Sequence, residues 1–506
     1  MIKVIKVTSV AVFVVCMAAA VLSLFGLVKF VNPEQQQILF DVGIRGTIVG
    51  LIGIIISSFK KDVLGGEKID GEKRKKIDNR IKIIDNYQLS YYIGVDFGRY
   101  KLDCCILKIS INKEGEEEFE IIDGSYSKAM NFLTQDTTDI IALISSALES
   151  EFNIAKEKNI SIKGIGFGLP GQIDPNKGFV SHSPGFEALS GLNFYEGPFS
   201  VKSQAVTDGD HIFVAIDNDV RCATRFLWKE EKLTDAICIF DGSGLGSGMV
   251  LDSKLYYGSS FTAGEIGHTT IAGCFMKGET GMPPCFSDIL SKEQRKCNCE
   301  RGNTNYHLET LLSSDGITKI AENLNKNKYQ QLLDDMKSGA YKSKYSKLLE
   351  KEEFADYKTS IENHIEEKEE IKTISTFFLS LAYYGGDEYA NQVVDLFNEY
   401  FAIGLANYIN LLNPKTIYLG GGIAKGFYKT QLHAKNKKKH THILLEDRIK
   451  FYCLSASSRF DIEVINSTHP IAPKGAAMIF IDETYRKKIT SGMYYELVYK
   501  QGKFCK

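Results

Sequence analysis

The stretch Ala236–His268, AICIFDGSGLGSGMVLDSKLYYGSSFTAGEIGH, decides more about this chain than any other part of it. It opens on the apolar run AICIF, breaks at the glycine-rich DGSGLGSG of Asp241–Gly248, and resumes as the apolar MVL. Two short apolar runs around such a break predict a strand, a tight turn and a second strand. Alternating glycines let main-chain amides come close to an anion, so Gly242, Ser243, Gly244 and Gly246 are candidate phosphate-binding positions. Further along, Glu265 and His268 stand three residues apart, close enough to project together.

Two related turns flank this stretch. GVDFGRYK (Gly94–Lys101) places Asp96 after an apolar strand, where its carboxylate can hold a magnesium ion through water, with Gly98 and Lys101 beside the anion. YLGGGIAKG (Tyr418–Gly426) brings Gly420, Gly421 and Gly422 to the start of an expected helix. Three strand–glycine turns along one chain predict a nucleotide held between two lobes. Helical patterns such as DIIALISSALESEFNIA and VVDLFNEYFAIGLANYINLL fall between the strands, which makes the fold class α/β. No G-x-x-x-x-G-K-[ST] occurs. The single G-x-G-x-x-G, at Gly166, Gly168 and Gly171, runs into the turn residues GQIDPNKG rather than a helix, against a dinucleotide-binding unit.

The chain has 506 residues, of which 44% are hydrophobic, ample for a sizeable core. Lys+Arg 61 against Asp+Glu 63 leaves a net charge of -2, without the basic excess of a nucleic-acid binder. Eleven cysteines, several in apolar strand-like runs (Cys104, Cys105, Cys238), fit reduced buried thiols better than a disulfide scaffold.

The first 62 residues have a different texture. Val7–Val28 is 22 residues without a charge, bracketed by Lys6 and Lys29, and is expected to form a transmembrane helix. The alternative, a cleaved signal peptide, usually has an apolar region of only about 7–15 residues. A second helix is expected at 38–59, at the cost of including Asp41 and Arg45; whether one helix or two cross the bilayer stays open. Nine Lys or Arg between residues 60 and 82 place the following domain on the cytoplasmic side of the cytoplasmic membrane. The expected organisation is a membrane anchor (1–62), a basic linker (63–89), an N-terminal lobe (90–215) and a C-terminal lobe (216–506). The second lobe would carry a charged, solvated helical insertion at 318–370, and the last helix is expected to pack back on the first lobe.

IGVDFGRYK, GFGLPGQIDPNKG, AIDNDVRCA, the Asp241–His268 stretch, C-N-C…HLE and NPKTIYLGGGI follow one another in the order that resembles the ROK family of sugar kinases and sugar-responsive repressors. The resemblance spans roughly residues 90–482. It implies a two-lobed actin-like ATPase (ribonuclease H-like) fold, ATP and Mg2+ as cofactors, and a glucokinase-like transfer of the γ-phosphate to a hexose or N-acetylhexosamine. Asp219 in IDND would be the general base, within reach of the attacking hydroxyl. Asn218, Glu265, His268 and Glu309 would complete the sugar site. The resemblance also implies a structural Zn2+ held by His268, Cys297, Cys299 and a fourth ligand, with His307 standing where a cysteine is expected and Cys285 or Cys274 as substitutes. It suggests a homodimer and no nucleic-acid partner, since membrane segments stand where a helix-turn-helix would be.

Two departures matter. The first phosphate turn carries Arg99–Tyr100 in place of small residues and a short hydroxyl, which crowds the phosphate space and puts catalysis in doubt. That departure motivates the alternative function, a non-catalytic sugar sensor or scaffold. The loop SHSPGF lacks an expected sugar-binding amide, and His182 is read as a surface-loop residue there.

Overall fold

The computed structural model describes residues 89–98, 102–125, 127–128, 137–184, 186–195, 210–271, 289–291, 294, 296–297, 307–351, 354–366, 372–436, 443–466, 470–482, 495–500 and 503–504, all within a compact unit running from Ile84 to Lys506. The expected membrane helices at 7–28 and 38–59 lie outside the described residues. Among the described residues no helix is long and apolar enough to cross a membrane.

Two mixed sheets form the frame. In the first, β1 (Leu89–Phe97), β2 (Leu102–Ile111) and β3 (Glu117–Ile121) make an antiparallel meander, and β4 (Ser127–Lys128) pairs with β2. From β1 the sheet continues in parallel through β5 (Ile162–Leu169) to β8 (Asp210–Asn218). A small hairpin, β6 (Gln172–Asp174) with β7 (Phe179–His182), stands apart from it. In the second sheet β9 (Ala236–Asp241), β10 (Leu245–Leu251) and β11 (Lys254–Leu255) are again antiparallel, and β9 continues in parallel through β12 (Thr416–Gly421) to β13 (Asp461–Val464). The orders 3-2-1-5-8 and 11-10-9-12-13 are one layout used twice. Within the expected second lobe, the end of the chain departs from this plan: β14 (Tyr495–Lys500) pairs antiparallel with β8 of the first sheet and turns back as β15 (Lys503–Phe504).

The helices are amphipathic by spacing. In α1 (Thr137–Glu157) Ile140, Ile144, Leu148, Phe152 and Ala155 recur every three or four residues and are the buried face against the first sheet. Helix α2 (Asp219–Glu230) begins where Asn218 ends β8; the Asn218 side chain accepts from the Arg221 N–H as its N-cap. The second lobe carries α3 (Glu309–Leu312), α4 (Ser314–Leu324), α5 (Lys326–Lys337), α6 (Ala340–Lys344), α7 (Ser346–Leu349), α8 (Ala355–Glu366), α9 (Thr376–Tyr384), α10 (Glu388–Leu412), α11 (Ala424–Asn436) and α12 (Leu445–Tyr452), and α13 (Ile471–Ala477) follows β13.

The segment 318–370 is less solvated than its charge suggests. Tyr329, Leu332, Leu333 and Met336 form one stripe of α5, and with Tyr341, Tyr345, Phe354, Tyr357 and Ile361 they belong to the largest core cluster, closed over α9 and α10. Helix α13 lies against β1, β5 and α2 at unusually close range. A Cβ on Gly94 would fall 1.7 Å from the Pro473 carbonyl oxygen, and one on Gly166 would fall 1.9 Å from that of Ala476. The glycines of GIGFG therefore serve helix–strand packing, not a phosphate.

Candidate active site

One cleft of about 1370 Å3 opens between the two sheets. It gathers Gly98, Asn218, Asp219, Gly242, Ser243, Gly244, Gly246, Glu265, His268, Cys297, His307, Glu309 and Gly421. Of the other residues singled out in the sequence, Asp96, Gly420 and Gly422 sit at the ends of β1 and β12 without lining it, and Lys101 and Cys299 lie outside the described residues, as do Arg99 and Tyr100.

The second phosphate turn is the hairpin between β9 and β10, in which Asp241 pairs with Leu245 across Gly242, Ser243 and Gly244. Gly242 donates to the Gly244 carbonyl at 2.9 Å, and Ser314 at the start of α4 donates to the Gly242 carbonyl at 2.9 Å. Glu309 braces the same turn: its Oε2 accepts from the Leu245 N–H at 2.9 Å and lies 3.0 Å from where a Gly244 Cβ would be. Glu309 thus supports the phosphate turn as well as facing the sugar end. Gly421 has φ +77° and its Cβ position is filled by the Asp241 backbone, so only glycine fits there. Below the turn, both carboxyl oxygens of Asp241 are buried without a hydrogen bond of good geometry. Burial and the Glu309 carboxylate hold its pKa well above the usual range, against the pull of the Ala424 N–H.

Asp219 forms the floor of the cleft at the first residue of α2. Its Oδ1 accepts from the Val220 N–H at 2.8 Å and from Asn218 Nδ2 at 3.0 Å, which fixes the carboxylate plane. Asn218 also donates to the Gly171 carbonyl at 3.2 Å, tying the site to the turn after β5. Burial first, then repulsion from Glu265, raises the Asp219 pKa to about 6, while the Val220 N–H and Arg221 oppose the rise. Such a value suits a base at neutral pH: ionised, yet with real affinity for a proton.

His268 faces two ways. Its Nε2 lies 3.7 Å from Glu265 Oε2, and its Nδ1 lies 3.3 Å from His307 Nδ1 and 3.7 Å from Cys297 Sγ. The ligand atoms of His268, Cys297 and His307 all fall within 4.8 Å of one another. Tetrahedral Zn2+ with N at about 2.05 Å and S at about 2.3 Å spaces two nitrogens by about 3.3 Å and a nitrogen and sulfur by about 3.6 Å. The cluster has those spacings, so the three residues fit zinc. Burial and the neighbouring His268 lower the His307 pKa, which keeps the ring neutral as a ligand.

Some cleft residues were not legible as such. His182 is not a surface-loop residue: it pairs with Gln172, lines the cleft, and its Nε2 is buried without a partner among the described residues. Lys319 and Asp315 of α4 line the same cavity at the nucleotide end. Beneath α2 runs a buried polar lattice. Asp217 pairs with Arg221 at 2.5 Å and with Arg225; Arg225 reaches Asp482 at 3.4 Å and Tyr257 Oη at 2.9 Å, and Tyr257 donates to Asp482 at 2.8 Å. Burial would push Asp217 up, but the two guanidiniums outweigh it and hold the carboxylate below its ordinary value.

A sheet layout repeated on either side of a cleft, with glycine turns at the strand ends facing it, defines the two-lobed ATPase fold of actin and hexokinase. Within that fold the chain belongs to the ROK family, whose model matches residues 92–449. A glucokinase of Halalkalibacterium halodurans is 26% identical over 339 residues, covering 66% of this chain and 81% of the relative. An N-acetyl-D-glucosamine kinase of Mannheimia succiniciproducens is 24% identical over 352 residues, covering 69% and 89%. Among solved structures, a ROK family transcriptional regulator, a homologue of the E. coli MLC protein, superimposes with a TM-score of 0.50 at 18% identity, covering 81% of this chain and 80% of its own.

Proposed function

We propose that the protein is a membrane-tethered sugar kinase that transfers the ATP γ-phosphate to a hydroxyl of a hexose or N-acetylhexosamine. The observation that carries this reading is the juxtaposition, in one cleft, of the glycine turn 242–244 with Asp219 at a pKa of about 6. The amides of Gly242–Gly246 cradle the phosphates, with Gly98 and Gly421 on the opposing rims. Asp219 orients the acceptor hydroxyl and takes its proton as phosphoryl transfer proceeds; Asn218 and the caps on its Oδ1 keep the carboxylate aimed. Glu265 and His182 present acceptor and donor groups to the remaining hydroxyls, and an analogue lacking one of these hydroxyls leaves the matching group unpaired. Mg2+ entering with the nucleotide supplies neutralising charge, for which Asp96 at the end of β1 and the orphaned carboxyl oxygens of Asp241 are fitting acidic groups. Zn2+ on His268, Cys297 and His307, with Cys299 as the sequence-expected fourth ligand, locks the His268 ring so that its Nε2 faces Glu265. In this arrangement His268 positions the sugar acceptor and contacts the metal.

The anchor in residues 1–62 would hold this domain at the cytoplasmic face of the membrane, where ATP is available. The test is ADP formation by the full chain with ATP and Mg2+ across a panel of hexoses and N-acetylhexosamines. Turnover stimulated by one sugar supports the kinase; folded protein that binds a sugar yet forms no ADP with any supports the sensor that Arg99–Tyr100 motivates.

A further inference from the structure

Arg221 occupies a place that neither phosphate nor sugar binding accounts for. It lies in the first turn of α2, two residues beyond Asp219, and is 4% exposed. Its Nε donates to Asp217 at 2.5 Å, its Nη1 donates to the Phe261 carbonyl at 2.9 Å, and its guanidinium carbon stands 5.0 Å from the Tyr257 ring centroid. Phe261 itself has φ +60°, a left-handed conformation that a residue of its bulk rarely adopts without support. The loop that turns there lines the cleft through Ser259, Ser260, Phe261 and Thr262 and then delivers Glu265.

We propose that Arg221 is a positioning residue that straps the Glu265-bearing loop to the helix bearing Asp219, so that both carboxylates are held in one frame. A planar guanidinium is needed for this. One edge meets Asp217 while another meets the Phe261 carbonyl, and the face lies on Tyr257; a lysine ammonium is a single point charge on a flexible stem. Asp219 is faced by Glu265 from the loop, Arg221 from its own helix, Asn218 from β8 and the Val220 N–H, and Arg221 is the cation among them. The consequence for turnover rests on the kinase reading; the strap does not.

The test is hydrogen exchange on the full chain as wild type, Arg221→Met and Arg221→Lys. The Ala263 N–H, which donates to the Tyr257 carbonyl at 3.2 Å, reports the loop. Loss of a buried charge-assisted bond predicts about 10- to 100-fold faster exchange across 259–266 in Arg221→Met, with the amides of β9 and β12 unchanged. Arg221→Lys is expected to leave the loop fast, yet return the acid limb of the kcat/KM profile, raised in the methionine variant, toward its wild-type pH. Unchanged loop exchange in a folded variant overturns the proposal, as does acceleration spread evenly through both sheets. Should Arg221→Met not fold, wild-type loop protection in Arg221→Lys overturns it equally. If the wild type phosphorylates no sugar, the kinase reading fails and the exchange data alone decide the strap.

Discussion

Asp219→Asn is expected to move two observables in opposite directions. The fold raises the Asp219 pKa from 3.8 to about 6. A carboxyl group with a raised folded pKa destabilises the native state when ionised: the cost is absent below pH 4, grows as pH rises through about 6, and is complete above it. A shift of roughly two units corresponds to about 3 kcal/mol. Asparagine is neutral, matches the shape, and keeps an Oδ1 to accept from the Val220 N–H, so it removes most of that cost. The variant should therefore unfold at higher temperature than wild type at pH 7.5 and at nearly the same temperature at pH 4.5. Its sugar-dependent ADP formation should fall by about 10²- to 10⁴-fold, the usual contribution of a positioned base. Wild-type kcat/KM should lose about tenfold per pH unit below 6 as the carboxylate protonates. The assays are thermal unfolding of the full chain at the two pH values and a coupled ADP assay from pH 5 to 8. Retained turnover in Asp219→Asn, or a stability gain of equal size at both pH values, would refute the assignment of the base and of its pKa.

Three further outcomes follow from the geometry. Metal analysis of the purified full chain should find about one zinc per chain, lost in Cys297→Ser and in His307→Ala; folded, metal-free wild-type protein would remove the zinc site. Arg225→Met leaves the buried Asp217 with one guanidinium instead of two and should cost about 3–5 kcal/mol in denaturant unfolding, and a loss below 1 kcal/mol would show that the lattice relaxes. Glu309→Ala strips the acceptor from the Leu245 N–H and should weaken nucleotide binding by about 1–3 kcal/mol, measured by calorimetry, whereas Glu309→Gln, which can still accept, should stay near wild type.

The glycine turns could be read from the sequence because glycine between apolar strands has few other uses. The cap-and-base pair Asn218–Asp219 stood out through its position between two such turns. What escaped notice depends on distance along the chain. Arg225 and Asp482 meet across 257 positions, and no local pattern marks either as a buried partner. His182 joins the cleft only because a short hairpin pairs it with Gln172. In 318–370 the signal was present but masked: Tyr329, Leu332, Leu333 and Met336 keep helical spacing, yet lysines and acids dominate the composition around them. The sequence shows no repeat, since the duplication lies in strand order and not in residue identity.

That duplicated order makes the molecule its own control. The turn between Phe97 and Leu102 occupies in the first sheet the place that Gly242–Gly244 occupies in the second, and it is one residue longer. The two halves have diverged unequally there, one keeping small residues and the other taking on an arginine and a tyrosine. Grafting the shorter turn onto the first sheet asks, within a single chain, how far the ancestral grip on phosphate has been traded away on one side while the other side preserved it.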